Sequence, residues 1–199
     1  MKEFQFSYDK QPIAVFLLGA NGSGKSSLRR ILNLSDINTN IDPDLLNKAY
    51  QNKYPDTYII EAAKEALVQF NNAITKGLNI CMESTLAGHG TMRRIMRAKN
   101  AGFYVVAYYA GLDNVELNLE RIRHRVSLGG HYIADDVVRK RYNESRENFI
   151  KVMQYFDDIY LVDNSGKDFE LLLTKIDDVI NVNASKEWAN TILKQFLHT

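Results

Sequence analysis

The chain has 199 residues, with 45% hydrophobic and 25% charged side chains, which fits one globular domain (1–199) and excludes disorder and collagen-like repeats. Its 25 Lys+Arg against 24 Asp+Glu leave a formal charge of +1, so no global field draws it to nucleic acid or to an anionic membrane. The single cysteine, Cys81, excludes an internal disulfide and fits a reducing, cytoplasmic setting, and the longest strongly apolar run, 13–18, is far short of the roughly 20 residues that a membrane span needs. The segment before that run carries Lys2, Glu3, Asp9 and Lys10 and does not read as a signal peptide.

Phe4, Phe6 and Tyr8 alternate at the start, a candidate edge strand. Residues 13–18 read as a buried strand and 24–32 as a helix. A short second strand is expected at 38–41, and helical periodicity runs through 59–74. Further strands are expected at 78–82, 103–109 and 158–162. Helices are expected around 92–99, 115–126, 135–154, 169–180 and 186–197, the last being a C-terminal helix at about 185–198. In that last helix Trp188, Ile192, Leu193 and Phe196 form an apolar stripe that suits packing on the domain or, less readily, a partner. Strands separated by helix-length segments imply an α/β fold: about five mainly parallel strands with helices on both faces. In such sheets ligands bind at the carboxyl ends of the strands.

The first strand ends in Gly19-Ala20-Asn21-Gly22-Ser23-Gly24-Lys25-Ser26, followed by Ser27. This is G-x-x-x-x-G-K-[ST], a phosphate-binding P-loop in its strand–loop–helix context. Glycines let successive N–H groups converge on one anion, and the helix that follows adds its positive end. Lys25 is placed to reach the β- and γ-phosphates and Ser26 to offer a hydroxyl to Mg²⁺. An Asn-Lys-x-Asp guanine-reading motif is absent, and residues 127–131 have the wrong order for a transporter ATPase signature. A small phosphoryl-transfer kinase remains.

Three other strand ends carry carboxylates: Asp42 and Asp44, Glu83, and Asp163. A kinase needs a base for the acceptor hydroxyl and carboxylates near its metal, although each acid also suits a helix N-cap, Asp42 above all because it precedes Pro43. Between Arg121 and Arg141 lie six basic and two acidic residues, a local charge of +4. Arg121 and Arg125 share a helix face, Arg123 points elsewhere, and Gly129-Gly130 can connect two helices. That is the pattern of an arginine-bearing lid at about 121–141 that closes over a phosphoryl group. His131 could touch phosphate or cap a turn.

In this order, residues 19–26, Asp42-Pro43-Asp44, Glu83-Ser84-Thr85-Leu86-Ala87-Gly88, Arg121 with Arg125-Val126, Gly129-Gly130-His131-Tyr132-Ile133, Arg141-Tyr142 and Asp163-Asn164-Ser165 resemble the zeta-toxin-like P-loop kinases, in particular their small branch of predicted ATPases. The likeness covers roughly residues 13–166, and departs from the branch at Ala134, where proline is usual. It implies an ATP- and Mg²⁺-dependent kinase acting on a hydroxyl of a small molecule. For the toxins that acceptor is UDP-N-acetylglucosamine, and the partner is an antitoxin protein. Carried over, Asp44 would be the base, with Lys25, Arg125 and Arg141 acting on the transferred phosphoryl group. Glu83, Thr85, Arg121 and His131 would face the acceptor, and Asn164 would border the nucleotide. A nucleoside or other metabolite kinase, and a nucleotide-dependent switch that hydrolyses ATP slowly, are the alternatives.

Overall fold

A computed structural model describes residues 11–197. Phe4, Phe6 and Tyr8 lie outside the described residues. The first strand, β1 (Ile13–Leu18), is buried along its whole length, as an interior strand of a parallel sheet must be. After it come α1 (Lys25–Ile31), β2 (Thr39–Ile41), α2 (Pro43–Gln51), α3 (Tyr58–Lys76) and β3 (Ile80–Ser84). The chain continues through α4 (His89–Asn100), β4 (Tyr104–Gly111), α5 (Val115–Ser127), α6 (Asp135–Val152) and β5 (Asp158–Asp163). It ends with β6 (Glu170–Ile176), β7 (Val179–Val182), a 3₁₀ turn at Glu187–Ala189 and α7 (Asn190–Leu197).

One seven-stranded sheet runs in the order β2-β3-β1-β4-β5-β6-β7. The first five are parallel, and β6 and β7 are added antiparallel. Alternation along β1 divides the interior between the two faces. Ala14, Phe16 and Leu18 join Phe70, Ile95, Phe149 and Phe156 on one side, while Ile13, Val15 and Leu17 join Leu28, Val106 and Tyr108 on the other. The carboxyl ends of β1, β3, β4 and β5 stand side by side, so the loops that follow them meet on one edge.

Two expectations need correction. The sheet has seven strands rather than five, because residues 169–180 form a β-hairpin and not a helix. Ile176 pairs with Val179 across a two-residue turn, and both turn residues, Asp177 and Asp178, have positive φ (50° and 62°), the type I′ pattern that matches strand twist. The C-terminal helix opens with a 3₁₀ turn before α7. Its stripe of Trp188, Ile192, Leu193 and Phe196 is buried in the main core, so packing is its use.

Candidate active site

The P-loop joins β1 to α1 and closes on itself. Gly24 sits at φ 97°, and a Cβ there would collide with the side chain of Asn164, so both conformation and space require glycine. Lys25 Nζ donates to the carbonyls of Gly19 (2.8 Å) and Ala20 (3.0 Å). The wrapping of the loop strips water from this ammonium. Its pKa falls to about 8, against the opposing pull of Glu83 and Asp44.

Glu83 lies in register with Leu17, the penultimate residue of β1, and is therefore delivered to the side of the P-loop. Ser26 Oγ donates to its Oε2 (3.0 Å), while Oε1 accepts no hydrogen bond and faces Arg29 Nη1 at 3.6 Å. Arg29 also stands 3.9 Å from Asp42. Burial, then the neighbouring charge of Asp42, pushes the Glu83 carboxyl above the usual carboxylate range. A serine hydroxyl beside a carboxylate with one oxygen that accepts no hydrogen bond is a hard-oxygen donor set, which fits Mg²⁺.

Asp42 and Asp44 separate cleanly. Asp42 caps α2, accepting from the N–H groups of Asp44 (2.9 Å) and Leu45 (3.2 Å), with Pro43 at the first helical position. The Asp44 side chain is 67% exposed and turns into the cleft, where its Oδ2 lies 3.5 Å from Arg125 Nη1.

Arg125 and Arg121 come from α5, one turn apart. Arg121 Nη2 donates to the carbonyl of Asn164 (2.6 Å), and Arg125 Nη2 to that of His131 (3.1 Å). Gly130 packs on Arg125 so closely that a Cβ would clash with its side chain and carbonyl. Arg141, on α6, donates to Asn21 Oδ1 of the P-loop (3.1 Å). Arg123 points away and pairs with Asp135 at the surface (2.6 Å). Asn164 Nδ2 donates to the Ser23 carbonyl (2.9 Å), which ties the loop after β5 to the P-loop.

Two clefts result. The smaller, about 490 Å³, is lined by Gly22, Gly24, Lys25, Ser26, Ser27, Glu83, Arg121, Asn164 and Phe169. The larger, about 820 Å³, lies between α2, the start of α3 and the α5–α6 loop, and includes Leu45, Lys48, Tyr58, Ile59, His131, Tyr132 and Arg141. Asn21, Asp44 and Arg125 line both. Glu83 therefore lines the smaller cleft, beside the P-loop, whereas Thr85 is half-buried and lines neither cleft. Arg29 and the buried Asn118, which donates to the Asn21 carbonyl (2.7 Å), were not singled out from the sequence. Each matters through a partner distant along the chain, and neither stands in a local motif.

The family model for the zeta toxins matches residues 1–174. The chain belongs to the zeta toxin family. A protein of Haemophilus influenzae (strain ATCC 51907 / DSM 11121 / KW20 / Rd), called an uncharacterized protein, is 42% identical over 129 residues, 65% of this chain and 91% of that one. Among solved structures, the AvrRxo1-ORF1:-ORF2 complex with ATP matches with a TM-score of 0.72 at 15% identity, over 94% of this chain. This chain spans 64% of that one. The PezAT chromosomal toxin–antitoxin system of Streptococcus pneumoniae matches with a TM-score of 0.61 at 20% identity, over 96% of this chain and 85% of that one. A putative kinase from Chloroflexus aurantiacus gives 0.53 at 15% identity, over 69% of this chain and 80% of that one. At such identities the likeness is one of fold, a mostly parallel α/β sheet with a P-loop after its first strand. Among the described residues, no helix is long and apolar enough to cross a membrane.

Proposed function

We propose that this member of the zeta toxin family is an ATP-dependent kinase that moves the γ-phosphoryl group to a hydroxyl of a small molecule. The observation that carries the reading is the meeting of two clefts at Asp44, Arg125 and Asn21. A transfer enzyme needs a donor site and an acceptor site whose boundary holds a base and a cation. The family membership and the ATP-containing fold relative support the donor assignment.

In this mechanism the P-loop N–H groups and Lys25 hold the β- and γ-phosphates. Ser26 and Glu83 would hold Mg²⁺, which when bound neutralises charge on the phosphates. Asp44 accepts the proton of the acceptor hydroxyl as its oxygen bonds to the γ-phosphorus and the bond to the β-phosphate oxygen breaks, leaving ADP. Arg125 and Arg141 face the equatorial oxygens, and the α5–α6 loop excludes water. Arg121 and Asn164 hold the frame of the nucleotide cleft.

The larger cleft joins cations, Lys48 and Arg141, to the apolar and aromatic surfaces of Leu45, Tyr58, Ile59 and Tyr132. It suits a bulky anionic acceptor such as a nucleotide sugar, of which UDP-N-acetylglucosamine is the candidate that the family brings. An antitoxin protein is the partner proposed on the same ground.

The decisive experiment incubates the protein with ATP–Mg²⁺ and a panel of nucleotide sugars, nucleosides and sugars, and reads by mass spectrometry the gain of one phosphoryl group. We expect transfer to one class of acceptor, its loss in Lys25→Ala, and a fall of roughly 10²–10⁴-fold in Asp44→Asn with ATP binding retained. Asparagine caps as well as aspartate, so a purely structural Asp44 leaves the enzyme nearly normal. ATP hydrolysis with no acceptor phosphorylated replaces the kinase reading with that of a nucleotide switch.

A further inference from the structure

The family model stops at residue 174, yet the chain beyond that point packs into the main core beside the carboxyl ends of β4 and β5. Trp188, the only tryptophan, lies in the 3₁₀ turn before α7 and is 4% exposed. Its indole rests on Gly111, the last residue of β4, where any Cβ would collide with the ring. Lys186 anchors the approach through an ion pair with Glu170 of β6 (3.1 Å).

The indole N–H does not end in the core. Nε1 donates to Oδ1 of Asp163 (2.7 Å), the last residue of β5 and the register partner of Gly111. Asp163 is buried, and its carboxylate also accepts from Ser165 Oγ (2.8 Å) and Ser165 N (3.0 Å). Between these two residues stands Asn164. Its N–H donates to the Gly111 carbonyl (3.0 Å), its side-chain amide to the Ser23 carbonyl of the P-loop (2.9 Å), and its own carbonyl accepts from Arg121 (2.6 Å). Three residues thus form a chain of contacts from the C-terminal segment to the P-loop and α5. A carboxylate closed into a turn is a rigid fulcrum when every donor on it is fixed, and a buried one is costly to leave short of a donor.

We propose that Trp188 is a positioning residue for nucleotide binding: through Asp163 it fixes Asn164, which in turn sets the P-loop at Ser23 and the arginine side at Arg121. The inference rests on the nucleotide assignment made above and adds to it a control element outside the family region. In this view the C-terminal segment is part of the nucleotide site although it touches no phosphate.

The test is ATP–Mg²⁺ binding to the full chain, measured by titration calorimetry and needing no acceptor. Trp188→Phe keeps an aromatic ring but removes the donor, and should raise the Kd for ATP roughly tenfold, the worth of one hydrogen bond to a charged group. Because the chain has one tryptophan, replacing it biosynthetically with benzothienylalanine puts sulfur in place of the N–H within the same bicyclic shape. That protein should fold as the wild type does and show the same loss, which guards against a variant that merely misfolds.

A structural role alone would lower the melting temperature and leave the Kd unchanged, and an unchanged Kd in the benzothienylalanine protein overturns the proposal. The second readout is coupling. If Trp188 acts through Asn164, the two losses are less than additive: Asn164→Ala removes the amide contact to Ser23 but keeps the carbonyl that Arg121 reaches, so Trp188→Phe costs less in that background than in the wild type. Additive losses would give Trp188 an independent effect and also overturn it. Failure of the wild type itself to bind ATP would overturn the nucleotide reading, and the positioning role with it, whereas failure in the variants alone to lose affinity strikes only the positioning role.

Discussion

Lys25 shows how a loop tunes one of its own side chains. The P-loop must wrap closely to present its N–H groups, and the same wrapping desolvates the ammonium and lowers its pKa to about 8. On the proposed function, phosphates bound in the loop would bring negative charge that favours the protonated form. ATP binding at about pH 9 should therefore take up protons, read as a dependence of the calorimetric enthalpy on the ionisation enthalpy of the buffer; a buffer-independent enthalpy would remove the tuned lysine. The sign for stability is opposite to that of a paired lysine. The folded pKa lies below the unfolded 10.5, so the unfolded chain binds more protons between about 8 and 10.5, and this group's contribution to stability rises with pH across that window. Cys81, by contrast, has its thiol pushed up to about 12 by burial and stays protonated in the core. Lys25 and Ser26 were legible in the sequence because the P-loop is a contiguous motif whose residue types are dictated by one anion. Arg29 was not, because its roles toward Glu83 and Asp42 depend on the register of β1 with β3 and of β3 with β2.

At the scale of elements, the parallel strands and the helices between them followed from periodicity, because each buried strand is a short apolar run and each helix carries a stripe. The C-terminal hairpin did not. Phe169, Leu172, Leu173, Ile176 and Ile180 recur at helical spacing, and two consecutive aspartates give no glycine or asparagine signal for a turn. What decides is the open edge of β5. Leu172 and Leu173 pack into the core once β6 pairs antiparallel with it. The turn is paid for in backbone strain, since Asp177 and Asp178 both occupy the left-handed region. The ion pair of Asp178 with Lys175 (3.1 Å) is too exposed to offset much of that. Replacing Asp177-Asp178 with Asn-Gly, the pair favoured in type I′ turns, should stabilise the protein by about 1 kcal/mol, a rise in Tm of roughly 2–4 °C for a chain of this length. Thermal denaturation followed by circular dichroism is the check, and an unchanged or lower Tm would mean that the turn is not strained.

At the scale of the molecule, the sheet sets the P-loop, Glu83 and Asn164 along one edge, and the α5–α6 pair lies over them. Arg139 to Glu116 (2.6 Å) and Arg123 to Asp135 (2.6 Å) lace the two helices together at the surface, away from the clefts. Arg121, Arg125 and Arg141 are directed inward, and Arg125 stands where the two clefts meet, 3.5 Å from Asp44. There it pairs with Asp44, the base in the proposed mechanism. On the proposed mechanism, with an acceptor and a γ-phosphate in the clefts, the same guanidinium would face the oxygens on which charge accumulates. An interaction stronger in the transition state than in the ground state appears in kcat rather than in affinity. Arg125→Ala should therefore lower kcat by about 10²-fold or more while changing the Kd for ATP little. Arg123→Ala, which removes a surface pair two residues away on the same helix, should leave kcat near that of the wild type. If Arg125→Ala instead weakened ATP binding at unchanged kcat, Arg125 would be a ground-state anchor, and the α5–α6 pair would serve to hold nucleotide rather than to complete the site for transfer.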